Sequence, residues 1–145
     1  MTKIRNITSS VPADRSVTLI EKKLVENGAS HIMKNYSDGL LQGISFRKEI
    51  NGVPISYELP AKVEPLLQLL LKQYKRPTAL QINSAREQAQ RTAWKLIYEW
   101  VDLQMSMIAL EQMKFEEIFL PKMIVAPGRT AFDVLQDSGF KALNQ

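Results

Sequence analysis

Six cations face a single acid between Lys72 and Lys95: Lys72, Lys75, Arg76, Arg86, Arg91 and Lys95 against Glu87. The whole chain carries +4, so this segment holds the entire excess and the rest is slightly acidic. Cations without interspersed carboxylates, beside the amides of Gln81, Asn83, Gln88 and Gln90 and the ring of Tyr74, are what a phosphate backbone requires. The charge displaces counterions, and the amides supply further hydrogen bonds without reading sequence. These six are the candidate nucleic-acid-binding residues. A plainer account competes, since Lys72, Lys75 and Arg76 end a helical pattern where positive charge suits the helix dipole.

Other chemistry finds less support. His31 is the only histidine, whereas a metal site needs several convergent ligands and a triad needs a base with an orienting partner. Glu116 and Glu117 are adjacent, which on a helix points them about 100° apart. Glu49 and Glu58 stand on strands that one hairpin could bring together, where like charges would raise a carboxyl pKa, but no companion nucleophile is identifiable. There is no glycine-rich phosphate loop, no Gly-x-Ser-x-Gly elbow and no His-Glu-x-x-His. Cysteine is absent, which removes disulfides, thiolate metal sites and cysteine nucleophiles together. The sequence argues against an enzyme and calls for no cofactor or metal.

The 145 residues, 45% apolar and 23% charged, suit one globular domain spanning 1–145, with residues 1–10 as a loosely ordered arm. No run approaches the roughly 18 apolar residues of a membrane span, and the N-terminus lacks the apolar stretch of a secretory signal. A soluble, cytoplasmic protein is expected, with no membrane partner.

Helical spacing of Val17, Ile20 and Leu24, behind Ser10-Val11-Pro12 and before Asn27-Gly28, predicts a first helix. Three strand-like segments follow, His31 to Tyr36, Gln42 to Ile50 and Val53 to Leu59, separated by Ser37-Asp38-Gly39 and Asn51-Gly52. Asn-Gly is a strong two-residue hairpin signal, so an antiparallel meander is predicted, with Pro54 placing the third strand at an edge. A second helix is read from Ala61 to Tyr74, a connector from Lys75 to Asn83, and a long helix from Ser84, where Ser84-x-x-Glu87 has capping-box spacing, to Met113. Phe115, Ile118, Phe119 and Leu120 form an apolar cluster before Pro121, and a last short helix runs from Thr130 to Gln136. The fold class is α+β: a three-stranded antiparallel meander packed on helices, in α-β-β-β-α-α order, with one long helix in the C-terminal half. A double-stranded RNA-binding domain has a similar helix, three strands, helix order, but the start of this second helix lacks a basic cluster.

The long helix carries two apolar rows. One is Ala93, Leu96, Trp100, Leu103, Met107 and Leu110; the other is Trp94, Ile97, Val101, Met105 and Ile108. So wide an arc must meet two surfaces. Gln104 and Glu111 interrupt it, and methionines adapt to varied partners. Trp94, Val101, Gln104, Met105, Ile108 and Glu111 are therefore candidate interface residues, for a helix-paired homodimer or a host protein.

The run Ala93-Trp94-Lys95-Leu96-Ile97-Tyr98-Glu99-Trp100-Val101-Asp102-Leu103-Gln104-Met105, with Phe119-Leu120-Pro121, Ile44-Ser45-Phe46 and Glu58-Leu59-Pro60, resembles a family of small phage and prophage proteins. The likeness spans most of the chain after residue 16. It implies a phage setting near recombination or replication genes, with no defined activity and no site residues. The functional expectation is a non-catalytic accessory protein of phage or prophage DNA metabolism that binds nucleic-acid backbone. The alternative is a phage adaptor that binds or inhibits a host factor.

Overall fold

Two tight turns make the sheet in the computed structural model, which describes residues 3–144. Asp38-Gly39 joins β1 (Ala29–Ser37) to β2 (Leu40–Ile50), and Asn51-Gly52 joins β2 to β3 (Val53–Pro60). All four turn residues have positive φ, 52° and 75° in the first pair and 52° and 81° in the second. That is the type I′ pattern, whose twist matches the flanking strands. The strand order is β1-β2-β3, antiparallel throughout. The protein is α+β, as its sequence pattern requires.

The helices are α1 (Ala13–Glu26), α2 (Glu64–Leu71), α3 (Ala79–Ala109), α4 (Phe115–Phe119) and α5 (Ala131–Asp137). The start of α3 corrects the expected boundary. Its capping box is Thr78-x-x-Gln81, where the Thr78 amide donates to Gln81 Oε1 at 2.9 Å and the Gln81 amide donates to Thr78 Oγ1 at 3.2 Å. Ser84 is an exposed position inside the helix. Both tetrapeptides satisfy the capping pattern; helix extends upstream of Ser84 until Pro77, which disfavours helical backbone at Arg76. The far end stops at Glu111, in the left-handed region at φ 58°. There the Gln112 amide reaches Met107 O and the Glu111 amide reaches Ile108 O, a Schellman closure.

The chain forms two compact units, each built from two stretches: up to Lys23 with Ala61–Leu103, and Leu24–Pro60 with the chain from Gln104 onward. In the first unit the buried side chains come from α1 (Val17, Ile20), the α2 region (Ala61, Val63, Leu67) and α3 (Ala85, Ala89, Thr92, Ala93, Trp94, Val101). Ser16 Oγ and Trp94 Nε1 are buried there without a hydrogen-bond partner among the described residues, an energetic cost this interior carries. The described part of the expected loose arm, residues 3–10, is fastened to α3; its first two residues lie outside the described range. Gln88 Nε2 donates to Ile7 O and Ser9 O at 3.0 Å, Thr92 Oγ1 donates to Asn6 O at 2.9 Å, and Arg5 pairs with Glu99 at 2.9 Å.

In the second unit one face of the sheet meets α4 through four rings. Phe46 stacks on Tyr57 at 5.3 Å between centroids and Phe115 on Phe119 at 4.3 Å, while the two pairs meet edge to face at 5.4–6.2 Å. All four are buried. Such arrangements add about 0.5–1.5 kcal/mol per pair beyond the burial of area. Two short strands, β4 (Ile124–Ala126) and β5 (Arg129–Thr130), form a separate hairpin, and Met123 bridges to Tyr57. Thr130 caps α5 through a reciprocal box with Asp133.

Candidate functional site

Lys72, at the C-cap of α2, and Lys75 and Arg76, in the connector before α3, are exposed. Arg86 is half-buried on the second turn of α3. Among the described residues none of these four has a hydrogen bond or ion pair from its charged group. Arg91 and Lys95 behave differently. Arg91 Nε donates to Ser9 O at 3.3 Å and to Gln88 Oε1 at 3.1 Å, so its guanidinium holds the N-terminal segment in place. Lys95 Nζ stands 5.5 Å from the centroid of the Tyr98 ring.

Helical geometry separates them further. At 100° per residue Arg86 lies about 140° from Arg91 and about 180° from Lys95 around α3. The six cations do not share one face. What remains freely presented is the connector group, Lys72, Lys75 and Arg76, with Arg86 on the following helix. The bond from Arg91 to a carbonyl 82 residues earlier leaves no trace in local sequence, which is why the stretch reads as a continuous stripe.

The interface candidates also divide. Trp94 and Val101 are fully buried and Met105 is 5% exposed, so these three are consumed by the interior of the chain itself. Gln104 and Ile108 are half-buried, and Glu111 is the left-handed stop of α3. The other apolar row starts buried at Ala93 and reaches outward further along: Leu96 and Trp100 are half-buried, and Leu103 and Leu110 are 59% and 69% exposed. Periodicity identified both rows but not which one faces in.

Glu49 and Glu58 are not brought together. Glu49 stands opposite Pro54 and Glu58 opposite Ser45, four rows apart on the sheet, or about 13 Å at the usual strand rise. Glu116 lies close enough to influence Lys48 and Tyr57. Lys48 donates to Asn27 O at 2.6 Å and covers the Phe115 ring at 4.2 Å. Partial burial pushes its amine below the usual lysine value, with Glu116 pulling the other way; burial, aided by Glu116, pushes the Tyr57 phenol up. Among the described residues no group of three or more metal-ligating side chains converges, and no helix is long and apolar enough to cross a membrane.

Sequence reasoning set His31 aside, yet the strand register gives it company. His31, Arg47 and Ser56 stand directly across β1, β2 and β3 from one another, on the face opposite the four rings. An open concavity of about 430 Å³ lies here, lined by His31, Met33, Ser45, Arg47, Ser56 and Ile124 together with parts of Ile32 and Phe46. The signal was present as alternation in β2 and β3, but it needed the register of β1, which shifts at two bulges. No protein-family model, curated protein or solved structure matches the chain.

Proposed function

We propose that this protein is a non-catalytic accessory factor of phage or prophage DNA metabolism that holds nucleic-acid backbone through Lys72, Lys75, Arg76 and Arg86. One observation carries the reading: these four charges have no acidic partner among the described residues, whereas Arg5 and Lys23 are paired with Glu99 and Asp102. An unpaired cation releases counterions from nucleic acid without first breaking an internal bridge. Four phosphate contacts correspond to a slope of about −3.6 in log affinity against log salt on duplex DNA.

Fluorescence anisotropy with a labelled duplex, titrated from low to moderate salt, tests this. Reversal of Lys72, Lys75 and Arg76 to Glu is expected to abolish binding, while Lys95→Gln leaves it unchanged. Salt-insensitive binding, or a triple reversal that binds like the parent, overturns the proposal. A second reading, a protein-binding adaptor or helix-paired homodimer, is favoured by the outward apolar row of α3, above all Leu103 and Leu110. Its measure is mass by light scattering before and after Leu103→Glu.

A further inference from the structure

The dipeptide Asn-Gly occurs twice, at Asn27-Gly28 and Asn51-Gly52, and the fold treats the two in opposite ways. An asparagine followed by glycine can modify itself. The glycine amide nitrogen attacks the asparagine Cγ and closes a succinimide ring, the side-chain amide nitrogen leaves as ammonia, and water then opens the ring at either carbonyl to give aspartate or isoaspartate. Water is consumed, ammonia is released, and no oxidant or reductant enters. The reaction needs a glycine nitrogen that no hydrogen bond already holds, open space around it, and a backbone free to leave its resting conformation.

At Asn51-Gly52 these conditions are met. Both residues are exposed, as are Val53 and Pro54 after them, and no atom lies within 4 Å of where a Cβ on Gly52 would stand. Among the described residues neither the Gly52 amide nor the Asn51 side chain makes a hydrogen bond. Asn51 rests at φ 52°, so ring closure requires the turn to open briefly, and at the tip of a hairpin that opening disturbs few buried contacts. Asn27-Gly28 is held instead. Asn27 is half-buried, and the Gly28 amide donates to Val25 O at 3.1 Å. Lys48 Nζ donates to Asn27 O at 2.6 Å and stands 3.5 Å from where a Cβ on Gly28 would be. There the attacking nitrogen is engaged and the backbone is clamped from β2. We propose that Asn51 is a self-modification site, converted by the Gly52 amide and water to aspartate and isoaspartate, and that the fold protects Asn27 from the same reaction. The two products differ in effect. Aspartate keeps the turn, since Asp-Gly suits type I′ geometry and Asp38-Gly39 already adopts it. Isoaspartate adds a backbone carbon to the two-residue loop and disrupts the pairing of Ile50 with Val53.

The test is incubation of the full chain in mildly alkaline buffer, with peptide mapping by mass spectrometry at intervals to follow the gain in mass from amide to acid at residues 51 and 27. A parallel incubation in guanidinium chloride gives the rates of the unfolded chain. In the folded protein Asn51 is expected to convert roughly tenfold or more faster than Asn27, because only the latter must wait for a larger opening. In denaturant the two rates should converge, Asn27 accelerating most. Fragmentation that separates the two acids should find isoaspartate as well as aspartate at position 51. Equal rates in the folded chain, conversion of Asn27 before Asn51, or a difference that persists undiminished in guanidinium would each overturn the assignment, the last by placing the cause in the flanking residues and not in the fold.

Discussion

The two faces of the sheet are built from the same three strands and do opposite things. On one, Ile44, Phe46, Tyr57 and Leu59 are at most 3% exposed, and Phe46 and Tyr57 meet Phe115 and Phe119. On the other, His31, Ser45, Arg47 and Ser56 line an open basin. Alternation along a strand sends neighbouring residues to opposite faces, so one face can be filled with rings while the other carries polar groups that packing does not fix. Burial and exposure are separated here by a single residue step.

The largest expected effect lies on the ring face. Phe119→Ala removes a fully buried ring that touches Phe46, Tyr57 and Phe115, and should cost about 3–5 kcal/mol, read as a fall in the urea midpoint. A cost near zero would mean that the four rings are not the anchor of this unit.

An intermediate effect should appear in alkali, where two groups close to that face move in opposite directions. Lys48 has its pKa lowered from 10.5 by burial, so the unfolded chain holds this proton more tightly, and stability should rise with pH from the folded value up to about 10.5. Tyr57 has its pKa raised from 10.0 by burial and Glu116. Its contribution is complete below about pH 10 and is lost as pH climbs through the higher folded value. Urea midpoints between pH 8 and 11 should show the rise disappear in Lys48→Met and the later loss soften in Tyr57→Phe. Identical profiles in both variants and the parent would deny the assigned causes.

The smallest effect sharpens the contrast. Arg47→Ala, on the basin face, should change stability by no more than about 0.5 kcal/mol. A large loss of stability would make Arg47 a structural residue and erase the difference between the faces.

The sequence announced some of these features more clearly than others, for physical reasons. Asp38-Gly39 and Asn51-Gly52 were legible because positive φ at two successive residues restricts the residue types that fit. The capping box at Thr78 is masked in the sequence because Ser84-Ala85-Arg86-Glu87 satisfies the same local rule, and only Pro77 arbitrates between them. On α3, spacing revealed two apolar rows, but the choice of Trp94 and Val101 for the interior and Leu103 for the surface depends on what the rest of the chain places beside them. The same holds for Arg91, whose charge points to phosphate in sequence and whose hydrogen bonds tie down Ser9 in the structure. The His31, Arg47, Ser56 row was hidden for a third reason: it exists only once the bulged pairing of β1 is fixed.

The pair of two-residue turns carries a further consequence, for the order in which the molecule assembles. Every strand pairing in the sheet is made between neighbours in the chain, and hairpins of this kind close in about 1–10 μs. The ring cluster must wait for Phe115 and Phe119 to return across more than fifty intervening residues, a search that costs loop entropy before any contact repays it. The meander is thus expected to form first, with α4 docking onto it afterwards.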